Sequence, residues 1–267
     1  ITYASVDEAH ALLRAGARAI DASWTSTSDA ASAADEDAKD GFHEERLPGA
    51  VFYDHNAFAD LSSPLPQAFP AASELGGALG RTLGLSRKDD VVVYARTSRS
   101  FAAEACADVL LEHGHEGAVR VLRGGLEAWV EARPDDVERG ADGAKTYPAV
   151  EYGASDGKQR ATTHVNAKDL LQNLSTQRLQ VLDCRQKEVF EGAMRDSAYL
   201  RIQGRVKAFD GFREGHIPGA KNLHYAKLFG VADGDLAELF TGAGLDLSMP
   251  VAVVCSGGVD ASPMVAA

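Results

Sequence analysis

The feature that most constrains this chain is that its pattern occurs twice. The apolar run Asp90-Val91-Val92-Val93-Tyr94-Ala95 has a counterpart in Pro250-Val251-Ala252-Val253-Val254-Cys255, 160 positions later. The turn Leu47-Pro48-Gly49-Ala50 has a counterpart in Ile217-Pro218-Gly219-Ala220, 170 positions later. Unequal offsets mean loops of different length between elements in one order. Ahead of each turn stands a helical run and then a strand: Val6–Leu13 and Ala17–Asp21 in the first half, Val165–Leu174 (with Asn166 as its cap) and Leu179–Asp183 in the second. Strands that alternate with helical runs imply an α/β fold, with a mainly parallel sheet flanked by helices in each half. A length of 267 residues suits two such domains, and 45% apolar residues supply their cores.

The expected domains are residues 1–132 and 164–267, joined by a linker over 133–163 that is rich in Pro, Gly and charge. Residues 25–42, rich in Ser, Ala and acid, read as a surface insertion. Helices are expected over 71–83, 101–113 and 235–240. After its buried strand the first half continues with a further strand, Ala118–Leu122, and the turn Arg123-Gly124-Gly125-Leu126-Glu127-Ala128-Trp129. The second half has no counterpart of these, so the end of its domain is expected to be missing.

Chemistry concentrates where the repeat is broken. Position 95 holds alanine and position 255 holds cysteine. Cys255 ends a buried strand, and ligands of open α/β sheets bind beyond the carboxyl ends of strands. It is followed by Ser256-Gly257-Gly258-Val259-Asp260 and then by a run that can open a helix. Backbone N–H groups of such a turn, and a helix start, favour a thiolate, the nucleophilic form of cysteine. The other two cysteines, Cys106 in an apolar helix and Cys184 after a strand, read as inert.

The net charge of −12 argues against nucleic acid or an anionic membrane as partner. Three widely spaced cysteines form neither a disulfide framework nor a zinc site, which points to a reducing compartment, cytoplasmic or mitochondrial. No run is long and apolar enough to cross a membrane, and no signal peptide shows.

The duplicated α/β pattern, a Pro-Gly-Ala turn in each half, Arg-Gly-Gly-Leu-x-x-Trp in the first and a lone cysteine loop in the second together resemble the tandem-domain rhodanese family. That family includes thiosulfate and 3-mercaptopyruvate sulfurtransferases. The resemblance implies two tandem rhodanese-like domains, of which only the second carries a nucleophile. It also implies that Cys255 takes the sulfane sulfur of a small anionic donor as a persulfide, held by loop N–H groups. An acceptor such as a thiol, thioredoxin or cyanide then removes the sulfur in a ping-pong sequence. No metal or organic cofactor is implied. The uncharged Ser256-Gly257 resembles the mercaptopyruvate type, whereas thiosulfate types place Arg and Lys after the cysteine.

Several positions depart from the family. Asp260 stands where Thr is common and adds negative charge near the thiol. The family's loop serine falls at Gly257, with Ser256 beside it. Val189 occupies the place of a carboxylate-binding Arg. Arg185, Arg195, Arg205 and Arg213 are the substrate-binding candidates that remain, alongside Arg201 and Lys207. The family's first-domain Asp and His fall at Asn56 and Gln67, with His55 as a stand-in. His216, in the turn His216-Ile-Pro-Gly, reads as structural. These departures keep a second reading open, a degenerate rhodanese that binds or relays sulfur. A phosphatase of this fold needs an Arg six positions after its cysteine; Ala261 stands there.

Overall fold

The structure is a computed structural model that describes residues 1–24, 38–55, 57–59, 72–97, 100–153, 165–195, 213–256 and 261–266. These fall into two compact units, one holding the described residues through Gly153 and the other those from Val165 onward.

In the first unit the strands are β1 (Thr2–Ala4), β2 (Arg18–Asp21), β3 (Val51–Phe52), β4 (Val91–Tyr94) and β5 (Val119–Leu122). They form one sheet in the order β1-β5-β4-β2-β3, with every pair parallel. The helices are α1 (Val6–Arg14), α2 (Ala38–Glu44), α3 (Ala72–Ala78), α4 (Ala102–Glu112) and α5 (Gly125–Ala132). β4 is central and its four residues are all buried, as a strand covered on both faces must be. Val91 and Val93 join one apolar cluster with α4, while Val92 and Tyr94 join another with Leu126 and Trp129 of α5. Period-two alternation thus feeds two core layers.

The second unit repeats the central part. Its strands β6 (Gln180–Asp183), β7 (Lys221–Asn222) and β8 (Val251–Val254) form a parallel sheet in the order β7-β6-β8. Asp183 pairs with Asn222 on one side and Val254 on the other, as Asp21 pairs with Phe52 and Tyr94. The expected repeat therefore holds to the residue in register. Helix α6 (Ala167–Thr176) starts at Asn166, whose side chain accepts from the N–H groups of Lys168 and Asp169. A one-turn helix α7 (Lys187–Phe190) follows β6, and helices Leu236–Gly242 and Ser262–Ala266 flank β8 in the chain.

The structure corrects two expectations and adds one strand. The insertion read over 25–42 is helix α2 from Ala38 onward, with Gly41 and Phe42 buried; residues 25–37 lie outside the described residues. Strand β1 was not expected, because three residues carry too little alternation to be recognised; it is set by pairing with β5. The stretch read as a linker from 133 belongs to the first unit as far as it is described. Trp129 Nε1 donates to Asp136 O (2.7 Å), and Arg46 and Glu138 exchange backbone hydrogen bonds of 3.0 and 2.9 Å. Tyr152 is buried at 3% exposure. Its turn-rich composition looks like a linker, but its aromatic residues find partners.

That strap lies along a local irregularity. Helix α3 runs into a π-helical turn, Leu79–Leu83, closed by Leu85 N donating to Leu79 O. The second unit makes the same closure one residue tighter, Leu245 N to Phe240 O. The strap hydrogen-bonds to the π turn, Val150 N donating to Gly80 O (3.0 Å), and a Cβ on Gly80 would lie 2.2 Å from Val150 O. Arg18 donates to the carbonyls of Leu83 and Gly84 and lies 3.2 Å above the Tyr147 ring.

Gly80→Ala is expected to lower the unfolding free energy of the chain by about 1–3 kcal/mol, because backbone cannot yield to the added methyl. Gly242→Ala, where a Cβ meets nothing within 4 Å, is expected to change it by no more than about 0.5 kcal/mol. Urea titrations of both variants give the comparison.

Candidate active site

Three strand ends of the second unit build the site. β8 delivers Cys255, which is partly buried against an apolar cluster that includes Leu182, Cys184, Phe240 and Met264. β6 delivers Asp183, Cys184 and Arg185. β7 delivers Leu223, His224 and Tyr225. The ends are bound to one another by backbone bonds: Cys184 N donates to Val254 O (2.9 Å), Leu223 N to Asp183 O (3.1 Å) and Tyr225 N to Cys184 O (3.1 Å). The Asn222 amide donates to the carbonyls of both Asp183 and Arg185, each at 2.9 Å.

The bond from Cys184 N to Val254 O continues the β6–β8 register by one residue and sets Cys184 opposite Cys255. In the first unit Ala22 N donates to Tyr94 O (2.8 Å), which sets Ala22 opposite Ala95 in the same way. One unit therefore has two thiols at this place and the other has two methyl groups.

Asp183 is 1% exposed and its charge is matched by Arg185. The guanidinium donates to the carboxylate through Nε (2.9 Å) and Nη2 (2.6 Å), and Nη2 also donates to Gly215 O (2.8 Å). Arg185 is thus a fork clamped on one carboxylate. Asp21, the equivalent in the first unit, is also buried but has Ser23 in place of the arginine; burial raises its pKa. Of the other arginine candidates, Arg195 pairs with Glu214 at the surface (3.1 Å) and Arg213 is exposed. Arg205 lies outside the described residues, as do Arg201, Lys207, Gly257, Gly258, Val259, Asp260, Asn56 and Gln67. Ser256 stands next to Cys255 and is partly buried, and Val189 is buried at 7% exposure.

His216 packs flat on Phe190 with ring centres 3.7 Å apart, and its Nδ1 lies 2.7 Å from Phe190 O. It ties α7 to the turn. His55 is packed into the first unit. Its ring lies against Tyr53 and Trp24, its Nε2 is 3.2 Å from Ala22 O, and burial lowers its pKa to about 4. That environment holds it as a neutral core group of the first unit and does not suit the stand-in role. Cys106 is wholly buried, which pushes its thiol pKa up and keeps it inert. His224 was not singled out from sequence. It stands at the β7 end, its pKa is lowered by burial, and Glu188 acts in the opposite sense. A histidine directly after the short strand was the available signal.

The family model of the rhodanese-like domain matches residues 5–132 and again residues 166–267. The chain belongs to the rhodanese family. It is 28% identical over 236 residues to 3-mercaptopyruvate sulfurtransferase of Rattus norvegicus, covering 86% of this chain and 72% of that one. It is 28% identical over 254 residues to thiosulfate sulfurtransferase of Gallus gallus, covering 92% and 78%. The crystal structure of SseA from Escherichia coli, a 3-mercaptopyruvate sulfotransferase, superposes with a TM-score of 0.79 at 26% identity, over 100% of this chain and 93% of that one. Both rhodanese-like units are thus accounted for, and they differ in the residue that ends the central strand.

Asp183→Asn strips Arg185 of its counter-charge and is expected to cost about 3 kcal/mol, whereas Asp21→Asn, where Arg96 acts on the carboxylate only as the smallest of several influences, costs under about 1 kcal/mol; paired denaturation curves test this. His55 has a folded pKa below its unfolded one, so its contribution is intact above pH 6.5 and is lost as pH falls toward about 4. Between those limits the stability of the wild-type chain should fall about 3 kcal/mol further than that of His55→Phe, read as the pH dependence of the denaturation midpoint.

Proposed function

We propose that Cys255 is the sulfur-carrying nucleophile of this sulfurtransferase and that 3-mercaptopyruvate is its donor. The observation that carries the reading is the placement of Cys255. It ends the strand of a parallel sheet where this fold presents reacting groups, in the unit that retains a thiol where the other has Ala95. The thiolate attacks the donor sulfur, the carbon–sulfur bond breaks, and pyruvate leaves after taking up a proton. The persulfide on Cys255 then passes its outer sulfur to a thiol, thioredoxin or cyanide.

The uncharged Ser256-Gly257 favours a carboxylate donor over the thiosulfate dianion. Among the arginine candidates, Arg185 is favoured for the donor's carboxylate, because it follows Cys184, the residue opposite Cys255. Asp183 holds its guanidinium through Nε and Nη2, so the orientation of the positive charge is fixed before the donor arrives. Arg195, Arg205 and Arg213 are the further candidates. A thiol nucleophile of this kind suits a reducing compartment, the cytosol or the mitochondrial matrix. Among the described residues no helix is long and apolar enough to cross a membrane.

The test is intact-mass analysis after incubation with 3-mercaptopyruvate or thiosulfate, beside steady-state assays. Wild type is expected to gain one sulfur from 3-mercaptopyruvate, and Cys255→Ser to gain none and to lose at least about a thousandfold in kcat/KM. Loading by thiosulfate alone would keep the nucleophile and overturn the donor. Loading of neither donor would sink the proposal.

A further inference from the structure

Cys184 has no part in the reaction as described so far, yet the structure sets it beside the residue that reacts. Cys184 and Cys255 face each other across the β6–β8 ladder, one residue beyond its last paired strand residues. Both side chains enter the same apolar cluster, with Leu182 and Val253 one alternation earlier on the same face. Neighbouring strands lie about 4.8 Å apart, and a disulfide spans Cα atoms roughly 4.4–6.8 Å apart. The pair therefore stands within bridging distance. The first unit, which ends the equivalent strand in Ala95, has Ala22 opposite it, so the two thiols are present together or absent together. Cys184 is wholly buried, which shields it from outside thiols while leaving Cys255 as its neighbour.

We propose that Cys184 is a resolving thiol for the persulfide on Cys255. The proposal rests on the reading of Cys255 as the sulfur carrier. The Cys184 sulfur attacks Cys255 Sγ, and the bond from Cys255 Sγ to the outer sulfur breaks. The outer sulfur leaves with the bonding electron pair and takes the Cys184 proton, departing as hydrogen sulfide. A Cys184–Cys255 disulfide remains. The two cysteine sulfurs have together lost the two electrons that the sulfane sulfur gained. A small dithiol in solution then reduces the disulfide and is itself oxidised to a disulfide. Supplied with a dithiol, the enzyme releases sulfide continuously. Without one it stops after a single turnover, unless a thiophile such as cyanide removes the outer sulfur first.

The experiment loads the reduced full-length chain with inorganic polysulfide, which places sulfur on an accessible thiolate without needing a donor pocket. Wild type, Cys184→Ala and Cys184→Ser are followed by intact mass, peptide mapping and sulfide release. Alanine at 184 reproduces what the first unit carries at Ala22, and serine keeps the size of the side chain. Wild type is expected to lose the added sulfur as free sulfide, to end two hydrogens lighter than the dithiol, and to yield a cross-linked Cys184–Cys255 peptide. Both variants should keep the added sulfur for at least about tenfold longer and form no cross-link. Retention of the sulfur in wild type for as long as in the variants, with no cross-linked peptide, would overturn the proposal. A parallel arm with 3-mercaptopyruvate separates the two readings. Loading by polysulfide but not by 3-mercaptopyruvate counts against the donor alone, and the fate of the polysulfide-derived sulfur still decides the role of Cys184.

Discussion

The parallel ladder between β6 and β8 is the constraint on which the second unit depends. Its hydrogen bonds fix which residues end side by side at the carboxyl edge, the edge beyond which open α/β sheets bind their ligands. Asp183, Cys184 and Arg185 arrive from one strand, Cys255 from the other, and Asn222 of β7 binds the carbonyls of Asp183 and Arg185. A register slip of one residue would turn Cys255 to the other face. The ladder is secured by burial of Leu182 and Ala252 and by the ion pair of Asp183 with Arg185.

The duplication shows what that frame costs and what it permits. The first unit keeps the ladder, the buried aspartate and the turn before the edge strand, but ends its two central strands in alanine. Asp21 has the backbone N–H of Ser23 and the through-space charge of Arg96 in place of a clamping guanidinium, and burial raises its pKa. The same frame therefore carries a charged, thiol-bearing edge in one unit and a quiet one in the other. Within the three-stranded part that both units share, the difference lies in a handful of residues, as expected where function is grafted onto a fold.

The first unit has spent its variation elsewhere. An extra residue in the turn after α3 forms a π-helical irregularity, and the strap through Tyr147, Val150 and Tyr152 packs against it. The strap places Tyr152 in the core and a hydrogen bond on Gly80, where any side chain would collide. A bulge and its partner segment have to be present together, since each satisfies backbone groups the other exposes.

By itself the sequence determined the α/β class, the two-fold repeat, the parallel strands and the one position where a cysteine stands against the alanine of the other half. Those properties are written in local periodicity and in paired motifs, which need no knowledge of distant contacts. The tertiary structure decided the rest. Arg185 proved to be clamped on Asp183, and His55 proved to be a packed neutral group. The apparent linker proved to be part of a domain, because aromatic side chains far along the chain find their partners only when the sheet has formed. Above all, Cys184 read as an inert cysteine after a strand, 71 positions from Cys255. Strand pairing makes the two neighbours, and no local pattern announces which residues a parallel crossover will bring together.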